Sequence, residues 1–236
     1  LRLAFSGAAP LSVEVSEFMH SIGITIHEGY GLTESSGSST TNPTGAVRMG
    51  SVGKPLLGTT IAIERRSTGH DPREGEVVIY GPGIMAGYQN QPDETQRVLS
   101  PDGGLRTGDL GYLDTDGYLF ITGRVKELYK LNNGRYVAPA PLEEKLKLSP
   151  FISNCMVYGA GQPYNVALVV ADVPALQAYF TGDSLRDPRA LLADRRVRRL
   201  FEDEILKYSK DFRTFELVRS FWIETEQFTR ENGMLT

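Results

Sequence analysis

Cysteine is nearly absent: Cys155 is the one cysteine in 236 residues. Neither a disulfide framework nor a four-cysteine zinc site can form from it. A basic surplus is also missing. Lysine and arginine number 25 against 29 acids, for a net charge of −4 and a pI near 5.5. That balance argues against a dedicated nucleic-acid binder. No apolar run approaches the roughly 18 residues that span a bilayer. There is no internal repeat and no low-complexity segment. The three histidines, His20, His27 and His70, lie far apart without metal-ligand spacing and read as structural. The chain opens at Leu1-Arg2-Leu3-Ala4-Phe5, already a strand pattern, with no initiator methionine and no leader. The expectation is a piece of a longer polypeptide, cut inside a domain. The alternative is a processed terminus that happens to begin a strand.

What remains is an ordinary globular composition, 40% hydrophobic and 23% charged. Leu3–Ser6 reads as a strand, and Gly7-Ala8-Ala9-Pro10 follows as a turn. Val13, Val15, Phe18, Met19 and Ile22 fit a helix face behind an Ser12 cap. Gly23 ends that helix. Ile24-Thr25-Ile26 starts a second strand, closed by Gly29-Tyr30-Gly31. Strand, helix and strand in about thirty residues predict a right-handed parallel crossover. The turns after both strands then share the carboxyl edge, where open α/β sheets bind ligands. Gly7–Pro10 and Gly29–Glu34 should face one crevice.

From Ser51 to Gly123 the pattern turns β-rich, with strands expected at Thr59–Glu64, Glu76–Tyr80, Leu110–Leu113 and Tyr118–Thr122. Asp116-Gly117 predicts a hairpin, and Pro92-Asp93-Glu94-Thr95 a helix start. This is a distorted antiparallel sheet or small barrel. Beyond Arg124 a small α+β unit is expected. Its hairpin turns at Asn132-Asn133-Gly134, its helices cover Pro141–Leu148, Pro174–Phe180 and Pro188–Tyr208, and its last strand is Leu217–Ile223. Cys155 and Trp222 read as core. Arg195-Arg196-Val197-Arg198-Arg199 reads as a solvated face balanced by Asp194, Glu202 and Asp203, with contact to anionic lipid or to the phosphates of an anionic ligand as the alternative.

Three stretches could carry chemistry. In Gly29-Tyr30-Gly31-Leu32-Thr33-Glu34, the glycines let backbone approach a planar ligand, and Tyr30 offers a face on which a base can stack. Thr33 can donate to a phosphate oxygen, and Glu34 can hold Mg²⁺. The plainer reading is a glycine turn with a core tyrosine and a capping threonine. In Thr107-Gly108-Asp109 a carboxylate in a tight turn can accept both ribose hydroxyls, or stabilise only its own turn. In Gly123-Arg124-Val125-Lys126-Glu127-Leu128-Tyr129-Lys130, Arg124 can reach a ribose or phosphate. Lys126 and Lys130 suit an anionic ligand or a protected edge strand.

Together these stretches resemble the adenylate-forming (ANL) superfamily in order and spacing. Gly50-Ser51-Val52-Gly53-Lys54-Pro55, Gly75-Glu76-Val77, Gly81–Tyr88 and Phe228–Thr236 match as well. Asn133–Pro139 with Pro141-Leu142-Glu143-Glu144 looks most like long-chain fatty acyl-CoA synthetases. The resemblance implies an α/β and α+β fold. Residues 1–124 would end the large adenylate-binding domain, a parallel βαβ plus a distorted antiparallel β subdomain. Residues 125–236 would form a small mobile α+β C-terminal domain. It implies that Gly7, Ala8, Ala9 and Pro10 lie along the adenine and that Tyr30, between Gly29 and Gly31, stacks on it. Thr33 would contact the phosphate, Glu34 would bind Mg²⁺, Asp109 and Arg124 would hold the ribose, and Lys126 would be the hinge, with Lys130 nearby. Thr33 and Glu34 would be the catalytic pair.

The implied reaction joins a fatty acid to ATP as acyl-AMP, then passes the acyl group to coenzyme A. Alternatives are an adenylation enzyme loading an aryl or amino acid onto a carrier protein, or a non-catalytic nucleotide-binding module. No nucleic-acid partner is implied. The expected setting is cytoplasmic, with peripheral membrane contact left open, and no oligomeric state follows. The family's phosphate loop and final catalytic lysine have no match in this chain. The 236 residues alone are expected to be inactive.

Overall fold

The computed structural model describes residues 3–65, 73–180 and 192–234. They form two compact units, Leu1–Lys126 and Glu127–Thr236. His70 and the start of the expected Pro188–Tyr208 helix lie outside the described residues.

The first unit opens with β1 (Ala4–Ser6), α1 (Val13–Ser21) and β2 (Ile26–Leu32). Ser12 caps α1 by accepting the Val15 N–H at 3.2 Å. β1 and β2 pair in parallel, with Ser6 beside Glu28, as the strand–helix–strand spacing predicts. β3 (Gly37–Thr41) and β4 (Lys54–Pro55) complete that sheet in the order β1-β2-β3-β4.

One expectation fails here. Gly29-Tyr30-Gly31 does not close the second strand but lies inside it, and the strand begins at Ile26 rather than Ile24. The reason is the neighbour. β3 runs antiparallel to β2 with a register shift between Tyr30 and Gly31. A Cβ on Gly31 would overlap the Gly37 carbonyl. Glycine serves close backbone approach here, not a turn.

A second sheet in this unit holds β5 (Thr60–Arg65), β6 (Gly75–Tyr80), β7 (Leu105–Leu113) and β8 (Leu119–Arg124), all antiparallel in that order. It is an open four-stranded sheet. Ile61, Val77, Ile79, Leu105 and Leu119 form its buried core, with Tyr30 and Leu32 packed against them. α2 (Pro92–Val98) carries its proline in the first turn. The Asp116-Gly117 hairpin forms as expected, with the Asp114 carboxylate accepting the N–H groups of Asp116 and Tyr118, each at 2.9 Å. Arg48 pairs with Asp114 and Asp116 across it. Thr107-Gly108-Asp109 is a second correction. It lies within β7, not in a separate tight turn. A register shift against β6 accommodates Gly108 at φ 73.

The second unit holds β9 (Tyr129–Lys130) and β10 (Tyr136–Val137), an antiparallel hairpin around Asn132-Asn133-Gly134. α3 (Pro139–Leu146), α4 (Val173–Tyr179) and α5 (Arg195–Ser209) accompany a sheet of β11 (Ile152–Tyr158), β12 (Asn165–Ala171) and β13 (Val218–Glu224). Val197, Phe201 and Ile205, four residues apart on α5, are buried with Leu142, Leu146 and Val169. Each such side chain contributes about 1.5–3 kcal/mol of burial. Cys155 sits in this core, its thiol pushed up to about 12 by desolvation and then by Glu143. Buried and held neutral, it serves as a small packing residue of this core.

Trp222 departs from expectation, being 70% exposed. Strand alternation explains it, because Phe221 and Ile223 take the core side of β13. The four arginines of the run on α5 are exposed, and Val197 between them is buried. Arg196 pairs with Asp194 and Arg198 with Glu202.

Candidate functional site

Gly7-Ala8-Ala9-Pro10 leaves β1 and is exposed. Ala8 holds φ 67, a left-handed conformation a side chain rarely adopts. Such strain persists where the surroundings impose it, and it clusters at ligand sites. A Cβ on Gly7 would stand 3.2 Å from the Gly29 carbonyl oxygen. The structure thus brings Gly7 and Gly29 together at the carboxyl end of the parallel pair.

Tyr30 projects from β2 toward the antiparallel sheet. Its hydroxyl donates to Asp109 Oδ2 at 2.6 Å. Arg124 Nε donates to Asp109 Oδ1 at 2.9 Å. Asp109 and Arg124 face each other across β7 and β8. Asp109 is only 6% exposed. Its N–H donates to Thr107 Oγ1 at 3.1 Å, and that hydroxyl donates to the Val77 carbonyl at 2.8 Å. Gly108 N–H donates to Glu76 Oε1 at 3.1 Å. Burial raises the Tyr30 phenol, and the Asp109 charge raises it further. Tyr30 therefore stays a donor at any working pH.

A carboxylate has about four acceptor positions. Tyr30 and Arg124 fill one on each oxygen of Asp109. Among the described residues no other donor reaches either oxygen, which leaves one position on each, the requirement of a vicinal diol. Tyr30 packs on the sheet core, as the plainer reading expects, and its hydroxyl also bonds Asp109.

Thr33 and Glu34 follow β2 in a 3₁₀ turn, Thr33–Ser35. Thr33 is not its cap, since Leu32 takes that position. Its side chain is exposed. Glu34 Oε1 accepts the Tyr88 hydroxyl at 2.7 Å, and Glu34 O accepts the Met85 N–H at 2.8 Å. Sequence reasoning left Tyr88 without a role, and only the bond to Glu34, 54 residues away, shows one. Among the described residues no three His, Cys, Asp or Glu side chains gather as a metal cage. Mg²⁺ does not need one. It is commonly held by one or two carboxylates plus substrate phosphates, with water completing its shell. Glu34, with one oxygen taken by Tyr88 and the other without a bond among the described residues, fits that donor set.

Lys126 ends the first unit in a 3₁₀ turn, Val125–Glu127. Lys130 lies in β9 of the second unit, its ammonium 5.4 Å from the Tyr136 ring centroid. Both are exposed.

Glu28, which the sequence did not single out, is buried two residues before Tyr30. Desolvation pushes its carboxyl up to about 7, opposed by the Gly50 N–H. A free glutamate ionises near 4.5. Between those values the folded chain holds a proton that the unfolded chain has lost. Stability from this group is complete below 4.5 and falls as pH rises through 7. The shift corresponds to about 1–2 kcal/mol after discounting for solvent screening. Glu28→Gln cannot ionise and should flatten that part of the profile. Urea melts at pH 5 and pH 8 check it. Equal losses in both proteins would assign the slope elsewhere.

No described helix is long and apolar enough to cross a membrane. Residues 1–89 match the AMP-binding enzyme family, and residues 127–186 match the AMP-binding enzyme C-terminal domain. FadD15, a long-chain-fatty-acid–CoA ligase of Mycobacterium bovis, is 34% identical over 245 residues, covering 100% of this chain and 38% of the relative. Human long-chain-fatty-acid–CoA ligase 1 is 31% identical, covering 100% of this chain and 35% of its own. The A domain of carboxylic acid reductase from Segniliparus rugosus, solved with AMP and a co-purified carboxylic acid, superposes with a TM-score of 0.77. It is 28% identical and covers 98% of this chain and 35% of that one. The chain thus spans little more than a third of the curated relatives it matches. With both family models matched in order and the fold shared, the chain belongs to the AMP-binding enzymes of the adenylate-forming superfamily.

Proposed function

We propose that this chain is the nucleotide-binding part of an AMP-forming long-chain fatty acid–CoA ligase. The observation that carries the reading is Asp109, buried and bonded by Tyr30 and Arg124 with two acceptor positions left. Gly7–Pro10 and the Tyr30 ring would hold the adenine, and Asp109 with Arg124 the ribose. Thr33 would donate to the α-phosphate. Glu34 would hold Mg²⁺, which neutralises phosphate charge when bound.

A carboxylate oxygen of the fatty acid attacks the α-phosphorus, and the bond to the bridging oxygen breaks. Pyrophosphate leaves with the electron pair. The sulfur of coenzyme A then attacks the acyl carbon, AMP leaves, and the thiol proton goes to solvent. No protein nucleophile is needed. Catalysis rests on positioning and on charge stabilisation at phosphorus. The second unit would be the small domain that swings about Lys126 between the two steps, with Lys130 beside the hinge.

The reading is supported by likeness to long-chain ligases along the whole chain. A second reading has its own support. The carboxylic acid reductase domain is nearly as similar in sequence, and it is also solved joined to a PCP domain, which supports an adenylation enzyme that delivers an aryl or amino acid to a carrier protein.

AMP release separates them. A polypeptide extended to the length of its relatives would be assayed with Mg-ATP, coenzyme A and acids from acetate to long fatty acids, benzoate and amino acids. Turnover should peak on long fatty acids and require coenzyme A. Activation independent of coenzyme A, or a peak on aryl or amino acids, supports the second reading. Nucleotide binding without turnover would leave a binding module. The 236-residue chain alone should form no AMP above a protein-free control.

A further inference from the structure

The loop from Gly81 to Tyr88 is bound at three points to the turn that carries Glu34. Ser36 Oγ donates to the Gly83 carbonyl at 2.7 Å. Met85 N–H donates to the Glu34 carbonyl at 2.8 Å. The Tyr88 hydroxyl donates to Glu34 Oε1 at 2.7 Å. The approach is close enough that a Cβ on Gly83 would stand 2.9 Å from the Ser35 carbonyl oxygen. The loop is itself anchored. β6 leads into it, and Thr95 of α2 accepts the Tyr88 N–H at 2.9 Å. A Cβ on Gly87, at φ 145, would stand 2.8 Å from the methyl of the same threonine.

Among the described residues, Tyr88 is the only hydrogen-bond donor on the Glu34 carboxylate. A free glutamate side chain turns about three bonds, and fixing it costs rotamer freedom. The loop has already restricted that freedom. Tyr88 occupies Oε1 and leaves Oε2 to face a cation.

We propose that Tyr88 is a positioning residue that orients the Glu34 carboxylate for the divalent cation carried by the bound nucleotide. This rests on the assignment of Glu34 to Mg²⁺ above. Tyr88 touches neither nucleotide nor metal. It acts through Glu34.

The test compares ATP binding to this chain by calorimetry in excess Mg²⁺ and in EDTA. The ratio of the two affinities isolates the metal-linked part. Tyr88→Phe keeps the ring and removes the hydroxyl. It should lower the ratio about three- to tenfold. Glu34→Gln should bring the ratio close to one, and adding Tyr88→Phe should lower it no further. A ratio that falls in Glu34→Gln and is unchanged in Tyr88→Phe overturns the positioning role alone. A ratio unchanged in both overturns the Glu34 assignment itself. Equal weakening with and without Mg²⁺ marks a merely structural tyrosine and overturns the proposal. Should Tyr88→Phe melt early, Thr95→Ala loosens the Tyr88 backbone from outside the site. It should lower the same ratio, and an unchanged ratio in a folded Thr95→Ala protein counts against the proposal.

Discussion

Asp109→Asn is expected to weaken AMP binding by about a hundredfold. The carboxylate is 6% exposed and already accepts Tyr30 and Arg124. In the proposed complex it would also accept two ribose hydroxyls. Hydrogen bonds to a charged group contribute roughly 1.5–3 kcal/mol each, and 2.7 kcal/mol is about a hundredfold. The amide keeps the volume but turns one acceptor into a donor. That donor then faces either the Tyr30 hydroxyl or the Arg124 Nε–H. Calorimetry with AMP, 2′-deoxy-AMP and 3′-deoxy-AMP resolves the cause. The natural chain should bind both deoxy nucleotides more weakly than AMP. Asp109→Asn should treat all three alike. If the variant still discriminates among them, Asp109 is not the ribose acceptor. Tyr30→Phe, which removes one bond and keeps the ring, should cost only about three- to tenfold.

The three acids around β2 show why burial alone does not assign a role. Asp109 is buried with two donors placed on separate oxygens, which suits a fixed acceptor. Glu34 is half-buried and, among the described residues, has one donor and a second oxygen without a bond, which suits a cation brought by the ligand. Glu28 is buried, and desolvation favours its neutral acid against the opposing pull of the Gly50 N–H. The strand places all three within seven residues or one hydrogen bond of Tyr30. The difference lies in who donates to each oxygen, and only tertiary structure sets that.

Much of the frame was legible in the sequence. The apolar spacing of Val13 to Ile22 and the Ser12 cap mark α1, and Asp116-Gly117 marks the β7–β8 hairpin. These signals are local, so local reading finds them. Gly29 and Gly31 misled for a physical reason. Glycine signals either a turn or a close approach, and the partner that decides between them, β3, comes only after the Thr33–Ser35 turn. Thr107-Gly108-Asp109 misled in the same way. Trp222 could have been placed from its neighbours, since Phe221 and Ile223 alternate with it. The Tyr88–Glu34 bond left no local signal, because it joins residues of separate elements.

Gly31→Ala should destabilise the first unit by about 3 kcal/mol or more. The added Cβ would overlap the Gly37 carbonyl and stand 2.8 Å from Ser38 Cα. Both are backbone atoms of β3, so no rotamer change relieves them. Overpacking of this kind commonly costs 1–3 kcal/mol and more where backbone must move. β3 cannot retreat easily, since it is held on its other side by β4 and by Thr40 Oγ1 donating to the Val52 carbonyl at 2.6 Å. Gly23→Ala is the matched comparison. Gly23 sits at φ 84 with open space around it, so alanine there meets only the left-handed backbone cost of about 1–2 kcal/mol. Urea melts of both variants should show the larger loss at Gly31. Equal losses would mean that β2 and β3 can part at low cost. In that case the strand carrying Tyr30 and leading to Glu34 would not be the rigid floor that an aligned phosphorus and carboxylate require.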